Sequence, residues 1–324
     1  MVVADPIYLP ENYQERLEKL GNVRIYDTPP GSLEELKSRV LDADIAVVSH
    51  CAIPEDIFLA APDLKFITLE RTGYDDVDIE AATRAGVAVA NAPGYSNEAV
   101  SEHVFALLLA YIRRVTEADR WMREGRFDCF RFKGRELQGK TMGIMGTGRI
   151  GTRVIELSKC FGMEVLAYDY NPSGERARKM GYKNVSLDEL YKYSDFISIH
   201  LPLTFDTESL IDDEAFNKMK RNCVIVNTAR GRIIDEDALI RALRNRKIAG
   251  ACLDVFAIEP PRINNPLLKM DNVILTPHSG YNTVEAMEKC TRITIENIEA
   301  FLSGKPKNII NPEAIDYSAM KGEA

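Results

Sequence analysis

Between Thr141 and Asp169 the chain has little freedom in what it can become. A short apolar run, Met142 to Met145, leads directly into Gly146-Thr147-Gly148-Arg149-Ile150-Gly151. Ile150, Val154, Ile155, Leu157 and Phe161 then recur at helical spacing, and Val165 to Tyr168 form a second strand-like run ending on Asp169. In such a unit Gly146 makes the turn, Gly148 lets the backbone approach a pyrophosphate and Gly151 lets the helix pack closely on the strand. The helix N-terminus offers free N–H groups to phosphate. Asp169, 18 residues beyond Gly151, stands where a carboxylate can accept hydrogen bonds from a ribose 2′-hydroxyl. A glycine hexapeptide alone is weak evidence. With strand, helix, second strand and acid in register, the stretch predicts a dinucleotide site.

Apolar β-type runs recur on both sides of it. Val2 to Ala4, Val23 to Tyr26, Ile45 to Val48, Phe66 to Leu69 and Val87 to Ala90 alternate with helical stretches, which predicts a small parallel α/β unit. At Asn91-Ala92-Pro93-Gly94 the alternation stops, and one long helix is expected from Ser96, a plausible N-cap, to about Arg123. After Asp169 the runs Phe196 to His200, Cys223 to Asn227, Gly250 to Asp254 and Val273 to Thr276 complete six parallel strands from 142 to 276. Such a set makes a doubly wound, Rossmann-type α/β domain. A last helix, Thr283 to Leu302, leaves about twenty residues, too few for a third domain. It is expected to return to the first unit. The predicted layout is a discontinuous domain, 1–97 plus 284–324, holding an inserted nucleotide domain, 98–283.

At 324 residues, 45% hydrophobic and 28% charged, the composition suits two ordinary globular domains. A net charge of −8 gives no electrostatic footprint for nucleic acid or an anionic membrane, so neither is expected as a partner. Six cysteines at 51, 129, 160, 223, 252 and 290 lack any Cys-x-x-Cys pair, which argues against a disulfide framework and a metal site. The apolar run Val104 to Ile112 is short of the roughly 20 residues of a membrane helix. Asp5 and Pro6 spoil a signal peptide, so a cytoplasmic protein is expected.

Ligands of open α/β sheets collect beyond the carboxyl ends of the strands. That rim carries His200-Leu201-Pro202, Thr228-Ala229-Arg230-Gly231, Asp254 through Glu259 and Pro277-His278. Hydride transfer to a carbonyl needs a proton donor, which an imidazole beside a carboxylate can be, and a cation for a carboxylate, which a guanidinium fork can be. Position alone does not choose between His200 and His278. His103 reads as a packed or capping histidine, His50 as a surface one, and a single strand-end Arg230 could be a surface charge.

The residues themselves resemble a family. Asn227-Thr228-Ala229-Arg230-Gly231, Asp235-Glu236-Asp237-Ala238-Leu239, Leu253-Asp254-Val255-Phe256, Glu259-Pro260, Thr276-Pro277-His278 and Gly73-Tyr74-Asp75-Asp76-Val77-Asp78 are similar to signatures of the D-isomer-specific 2-hydroxyacid dehydrogenases, over about Ile45 to Leu302. This family includes glycerate, D-lactate, glyoxylate and phosphoglycerate enzymes. The resemblance implies a Rossmann cofactor domain inserted in a flavodoxin-like substrate domain and an NAD-dependent oxidoreductase acting on a small 2-oxo or D-2-hydroxy acid. His278 would be the acid/base, Glu259 its partner and Arg230 the substrate-carboxylate ligand, leaving His200 beside the cofactor. Gly146, Gly148, Arg149, Ile150 and Gly151 would meet the pyrophosphate, and Asp169 the adenine ribose. Leu201 and Pro202 would line the adenine side, Thr207, Thr228 and Ala229 the cofactor's surroundings, and Asp254 would meet the nicotinamide amide. Thr72 and Gly73 would offer backbone N–H groups to the substrate, with Tyr95 and Tyr281 over it. The two domains would close about hinges near 97 and 284.

Asp169-Tyr170-Asn171-Pro172 has no adjacent arginine for a 2′-phosphate, so NAD is expected over NADP, although Arg176 and Arg178 are near in sequence. Two readings of Arg71 stand open: a contact to a second anionic group of the substrate, or a solvated charge paired with Glu70. The aromatic stretch Trp121 to Phe132 suits a partner surface, and the resemblance implies a homodimer through the 98–140 region. A second class, an NAD-sensing corepressor-like binding protein, is compatible with the same residues.

Overall fold

The apolar runs of the first ninety residues become five strands: β1 (Val2–Val3), β2 (Arg24–Ile25), β3 (Ile45–Val48), β4 (Phe66–Leu69) and β5 (Ala88–Ala90). All pair in parallel, in the order β2-β1-β3-β4-β5. Because crossover helices cover both faces of a parallel sheet, its inner strands are apolar throughout rather than alternating. Every residue of the inner strands β1, β3 and β4 is accordingly buried, and so is every residue of the edge strand β5. The order is the flavodoxin-like one. This computed structural model describes residues 1–315.

The chain divides into two compact units, Met1–Ser96 with the chain from Thr283 onward, and Asn97–Asn282. Residues 316–324, which the sequence analysis assigns to the outer domain, lie outside the described residues. In the first unit the helix Val284–Leu302 buries Ile295 and Ile298 against Val3, Ile45, Phe66 and Ala88, and Phe301 stacks on Phe66 at 4.4 Å between ring centroids. Buried polar groups fix its register. Asn297 Nδ2 donates to the Asn91 carbonyl (2.9 Å) and to Thr68 Oγ1 (3.3 Å), and Asn311 Oδ1 accepts from the Val89 N–H (2.8 Å).

The second unit holds β6 (Thr141–Met145), β7 (Glu164–Tyr168), β8 (Lys183–Asn184), β9 (Phe196–Ile199), β10 (Val224–Asn227), β11 (Gly250–Leu253) and β12 (Val273–Leu275). They form one parallel sheet in the order β12-β11-β10-β9-β6-β7-β8. This is the doubly wound order, and its direction reverses between β6 and β9. Two apolar clusters flank the sheet, one around Ile197, Ile225 and Leu239, the other around Leu108, Ile144 and Val154.

Three expectations are corrected. The nucleotide sheet has a seventh strand, β8, whose two exposed residues carry no apolar signal. The helix expected from Ser96 to Arg123 is two, Asn97–Arg113 and Val115–Arg123, parted by Arg114 in the left-handed region (φ 54°). The break has a cause distant in sequence: Arg135 N–H donates to the Ile112 carbonyl at 3.0 Å, and Gly134 lies so close that a Cβ there would be 2.7 Å from that oxygen. Several strands also stop a residue short of the apolar runs, so His200, Asp254 and Thr276 fall just beyond strand ends. Among the described residues no helix is long and apolar enough to cross a membrane.

Replacing the buried Asn297 by alanine strands the part-buried Asn91 carbonyl and opens a gap under the returning helix. The midpoint of urea unfolding should fall by an amount corresponding to about 1–3 kcal/mol. An unchanged midpoint would show that this amide does not secure the helix.

Candidate active site

At the sheet's switch point, β6 runs into the Gly146 turn and the helix Arg149–Cys160 starts at once. Gly146 has φ 95°, and a Cβ on it would lie 2.7 Å from the His200 carbonyl oxygen. At Gly151 a Cβ would lie 2.0 Å from the Gly146 oxygen. These two glycines are required by close approach of backbone to backbone. Gly148 differs: nothing lies within 4 Å of a Cβ there, and as N-cap it offers no side chain to the first-turn N–H groups of the helix. Uncapped amides facing open space suit an anionic pyrophosphate. A second observation agrees, since Thr228 Oγ1 at the end of β10 is buried without a hydrogen-bond partner.

Asp169 also ties this turn together. Its Oδ2 accepts from the Thr147 N–H (2.6 Å) and hydroxyl (2.7 Å), and Oδ1 accepts from the Asn171 N–H (2.9 Å). Burial would raise its proton affinity, but these bonds and the nearby Arg176 hold the carboxyl below its ordinary range. Arg176 Nη1 donates to the Thr147 carbonyl at 2.6 Å. Leu201 is buried and Pro202 exposed; the Thr207 hydroxyl donates to the Pro202 carbonyl (2.7 Å) and accepts from the Thr204 N–H (2.7 Å), so it shapes this loop itself.

The rims of β10, β11 and β12 bring Arg230, Glu259 and His278 together. Asn227, buried at the end of β10, closes the turn to Arg230 from both sides: its Nδ2 donates to the Arg230 carbonyl (2.9 Å) and its Oδ1 accepts from the Ala229 N–H (3.0 Å). Arg230 Nη1 donates to the Ala229 carbonyl at 2.8 Å. Gly231 packs against the backbone of Phe256, where a Cβ would be 2.0 Å from the carbonyl carbon. The loop after β11 thereby abuts the Arg230 turn. Glu236 holds that loop from beneath, accepting from the Ala257 N–H (3.2 Å) and from Asn265 Nδ2 (2.9 Å).

Glu259 Oε1 accepts from the Phe256 N–H (2.9 Å), while Oε2 lies 2.7 Å from His278 Nδ1. Burial pushes the Glu259 carboxyl up, but the bonds from His278 and Phe256, together with the charge of Arg230, bring it below its usual value. An ionised carboxylate only accepts, so His278 Nδ1 carries the proton of this bond. Nε2 is left for exchange. Tyr281 stands edge-on to the imidazole, 6.1 Å between centroids. The other rim histidine is unsuited to proton exchange near neutrality, because burial pushes His200 down to about 3 and its Nε2 lies 2.9 Å from Ser198 Oγ.

His278 is one of few non-glycine residues in the left-handed region, with φ 52°. Asp254 explains how it stays there. Its backbone oxygen accepts from the His278 N–H (2.8 Å), Oδ1 from the Ser279 N–H (2.9 Å) and Oδ2 from the Gly280 N–H (2.8 Å). Thr276 Oγ1 donates to Oδ1 at 2.5 Å. Against its burial these donors and His103 depress the Asp254 carboxyl to about 2. Both oxygens of the residue expected to meet a nicotinamide amide are thus bonded within the protein. Sequence reasoning passes over Asn227, Thr276 and His103 as parts of the site. The first two lie inside the Asn227–Gly231 and Thr276–His278 motifs, where residue identity is the only signal, and His103 carries none.

Thr72, Gly73 and Tyr95 lie in the first unit. Thr72 Oγ1 donates to the Ala92 carbonyl (2.8 Å), its own carbonyl accepts from Asn91 Nδ2 (2.7 Å), and Tyr95 is buried. The reading of Arg71 as a charge paired with Glu70 is corrected. Arg71 pairs instead with Asp76 through two bonds (2.9 and 2.6 Å) and reaches the Cys51 carbonyl (3.2 Å). Glu70 is buried, accepts from Thr291 Oγ1 (2.9 Å), and is pushed up to about 8 by desolvation.

Comparison with known proteins identifies the family. Residues 105–280 match the model of the D-isomer specific 2-hydroxyacid dehydrogenase NAD binding domain. A glyoxylate reductase of Korarchaeum cryptofilum is 39% identical over 315 residues, covering 95% of each chain. A D-3-phosphoglycerate dehydrogenase of Methanocaldococcus jannaschii is 42% identical over 314 residues, 96% of this chain but 59% of that longer protein. Among solved structures, a D-lactate dehydrogenase from Aquifex aeolicus complexed with NAD and lactic acid superposes with a TM-score of 0.85 at 32% identity, over 96% of this chain and 99% of the other. An acyclic imino acid reductase bound to NADPH and D-Arg gives a TM-score of 0.88 at 35% identity, over 95% and 99%. The chain therefore belongs to the D-isomer-specific 2-hydroxyacid dehydrogenase family and is an NAD(P)-binding oxidoreductase of that kind.

Proposed function

We propose that this dehydrogenase interconverts a small 2-oxo acid and its D-2-hydroxy acid, with His278 as acid/base, Glu259 as its partner and Arg230 as ligand of the substrate carboxylate. The observation that carries this reading is the 2.7 Å contact between Glu259 Oε2 and His278 Nδ1 beside Arg230. When bound, the nicotinamide cofactor supplies or takes the hydride at the substrate's C2. Gly148 and the first-turn N–H groups of Arg149, Ile150 and Gly151 would hold its pyrophosphate, Asp169 its adenine ribose and Thr228 an adjoining polar group. Leu201, Pro202, Thr207 and Ala229 would complete its surroundings.

In reduction, His278 Nε2 gives a proton to the developing alkoxide while Nδ1 keeps its bond to Glu259. That carboxylate fixes the tautomer and lies against the charge the imidazole carries before transfer. Arg230 holds the substrate carboxylate through its planar fork and draws charge from the carbonyl. Thr72 and Gly73 are proposed as further backbone N–H donors to the substrate, and Tyr95 and Tyr281 as its aromatic neighbours. A carboxylate at Asp169 disfavours a 2′-phosphate, so NADH is proposed as the better cofactor. The names of the relatives, glyoxylate reductase above all, support a short substrate such as glyoxylate, pyruvate or hydroxypyruvate. The deciding assay is turnover of a panel of 2-oxo acids with NADH and with NADPH; no turnover of any would overturn the proposal and leave a cofactor-sensing binding protein as the reading.

We further propose a homodimer through the 98–140 region. In support, the helix Val115–Arg123 buries no residue, and Phe127 and Phe130 beyond it are 83% and 90% exposed.

Three outcomes are expected. Because Glu259 titrates below its ordinary range, its charge is present above the ordinary carboxylate value and is lost as pH falls through the depressed one. Glu259→Gln removes that charge at every pH, so the alkaline limb of the kcat/KM profile for reduction should move to lower pH; a limb that stays in place rules out the pairing. Arg230→Lys keeps the charge but not the fork and should lower kcat/KM by about tenfold to a hundredfold, the roughly 1.4 to 3 kcal/mol of a charged hydrogen bond. An unaltered kcat/KM in steady-state assays removes Arg230 from the mechanism. In sedimentation at micromolar concentration the parent should run as a dimer and Phe127→Asp/Phe130→Asp as a monomer, whereas a monomeric parent defeats the dimer.

A further inference from the structure

A left-handed turn at a residue bearing a Cβ is strained and persists only where its surroundings hold it. At His278 the support is a concavity of successive N–H groups, 278 to 280, closed on the carbonyl and carboxylate of Asp254. The carboxylate must itself be held, because it is buried and ionised. Its remaining support comes from outside the rim. Thr276 Oγ1 has one proton and gives it to Asp254 Oδ1 (2.5 Å), so at its 3.0 Å contact with His103 Nε2 the hydroxyl must accept. The proton of that contact sits on His103 Nε2, which is also 3.4 Å from Asp254 Oδ1.

His103 belongs to the helix Asn97–Arg113, far in sequence from the rim. It also packs against the turn: a Cβ on Gly280 would lie 2.9 Å from Asp254 Oδ2 and 3.2 Å from His103 Cδ2. We propose that His103 is a positioning residue for the proton transfer: through the relay His103 Nε2–H to Thr276 Oγ1–H to Asp254 it holds the 278–280 turn in the conformation that presents the His278 imidazole to Glu259 and the substrate. Aligned imidazole matters because proton transfer requires hydrogen-bond reach, and a displacement of about 1 Å can cost roughly a hundredfold in rate. The inference rests on the acid/base reading of His278 for its effect on rate, but not for its effect on the turn.

The test separates these two. His103→Leu removes the donor at similar volume, Thr276→Val removes the middle of the relay, and His103→Gln keeps a side-chain N–H. Hydrogen–deuterium exchange of peptides covering 276–282 should accelerate about tenfold or more in the Leu and Val variants and stay near the parent in the Gln variant. In the same proteins kcat for 2-oxo-acid reduction should fall about tenfold or more in Leu and Val, with the dissociation constant for NADH, read by fluorescence, within about twofold of the parent. The Gln variant should recover most of kcat. Exchange as slow as the parent's in both Leu and Val variants overturns the proposal whatever the activity. Faster exchange with kcat unchanged also overturns it, by showing that the turn need not be held for proton transfer. If exchange responds while the parent reduces no 2-oxo acid, the holding of the turn stands and the acid/base reading falls.

Discussion

Asp254 is the residue on which the rim of the larger sheet depends. A buried carboxylate must be surrounded by donors or lose its charge, and this one takes three, the N–H groups of Ser279 and Gly280 and the Thr276 hydroxyl, from the chain beyond the next strand. Satisfying Asp254 therefore bends β12's exit into a left-handed turn at His278. Glu259 leaves the same strand end as Asp254, five positions on, and meets that imidazole. Two adjacent parallel strands thus deliver a carboxylate and a histidine to one point, with Arg230 delivered by the third strand of the set, β10.

The glycine turn after β6 obeys a different constraint, steric rather than electrostatic. The turn, the first helix and the exit of β9 converge so closely that Gly146 and Gly151 leave no room for a side chain, whereas Gly148 faces open space. Tight packing around two glycines fixes the backbone, and the third leaves room beside a helix start that has no side-chain cap. Asp169 bonds to Thr147 within this turn, so the residue proposed for the ribose also stiffens the glycine turn. A substitution at Asp169 would for that reason disturb the glycine turn as well as the proposed ribose contact.

Much of this is legible in the sequence because parallel strands buried on both faces appear as continuous apolar runs, and among the described residues every strand but β8 overlaps such a run. β8 cannot be read, since Lys183 and Asn184 sit exposed at a sheet edge and pair only through their backbone. Nor can the break at Arg114, whose cause is the passage of Gly134 and Arg135 across the Ile112 carbonyl. Arg71 and Glu70 are neighbours in sequence but point to different surroundings, one to Asp76 and the other into the core. The two rim histidines illustrate the limit of position as a guide. His200 and His278 both follow strands, and only their environments separate them: one is buried beside Ser198 with its proton affinity suppressed, the other half-exposed and paired with a carboxylate.

Asp254 and Glu259 also divide structural and chemical work according to their partners. Asp254 takes two backbone N–H groups and one hydroxyl, and His103 Nε2 stands behind that hydroxyl at 3.0 Å and 3.4 Å from Oδ1. With its proton affinity depressed to about 2, the clamp it forms is present above the ordinary carboxylate range and is lost only as pH falls through that depressed value. Glu259 instead faces the His278 imidazole, so the contact on which the proposed proton transfer depends is a separate one. The bonds that hold the turn are thus made to Asp254 and not to the imidazole that the turn presents. The proposed acid/base residue can therefore keep its left-handed backbone while its ring exchanges a proton, because the group that holds the backbone and the group that meets the ring are different carboxylates.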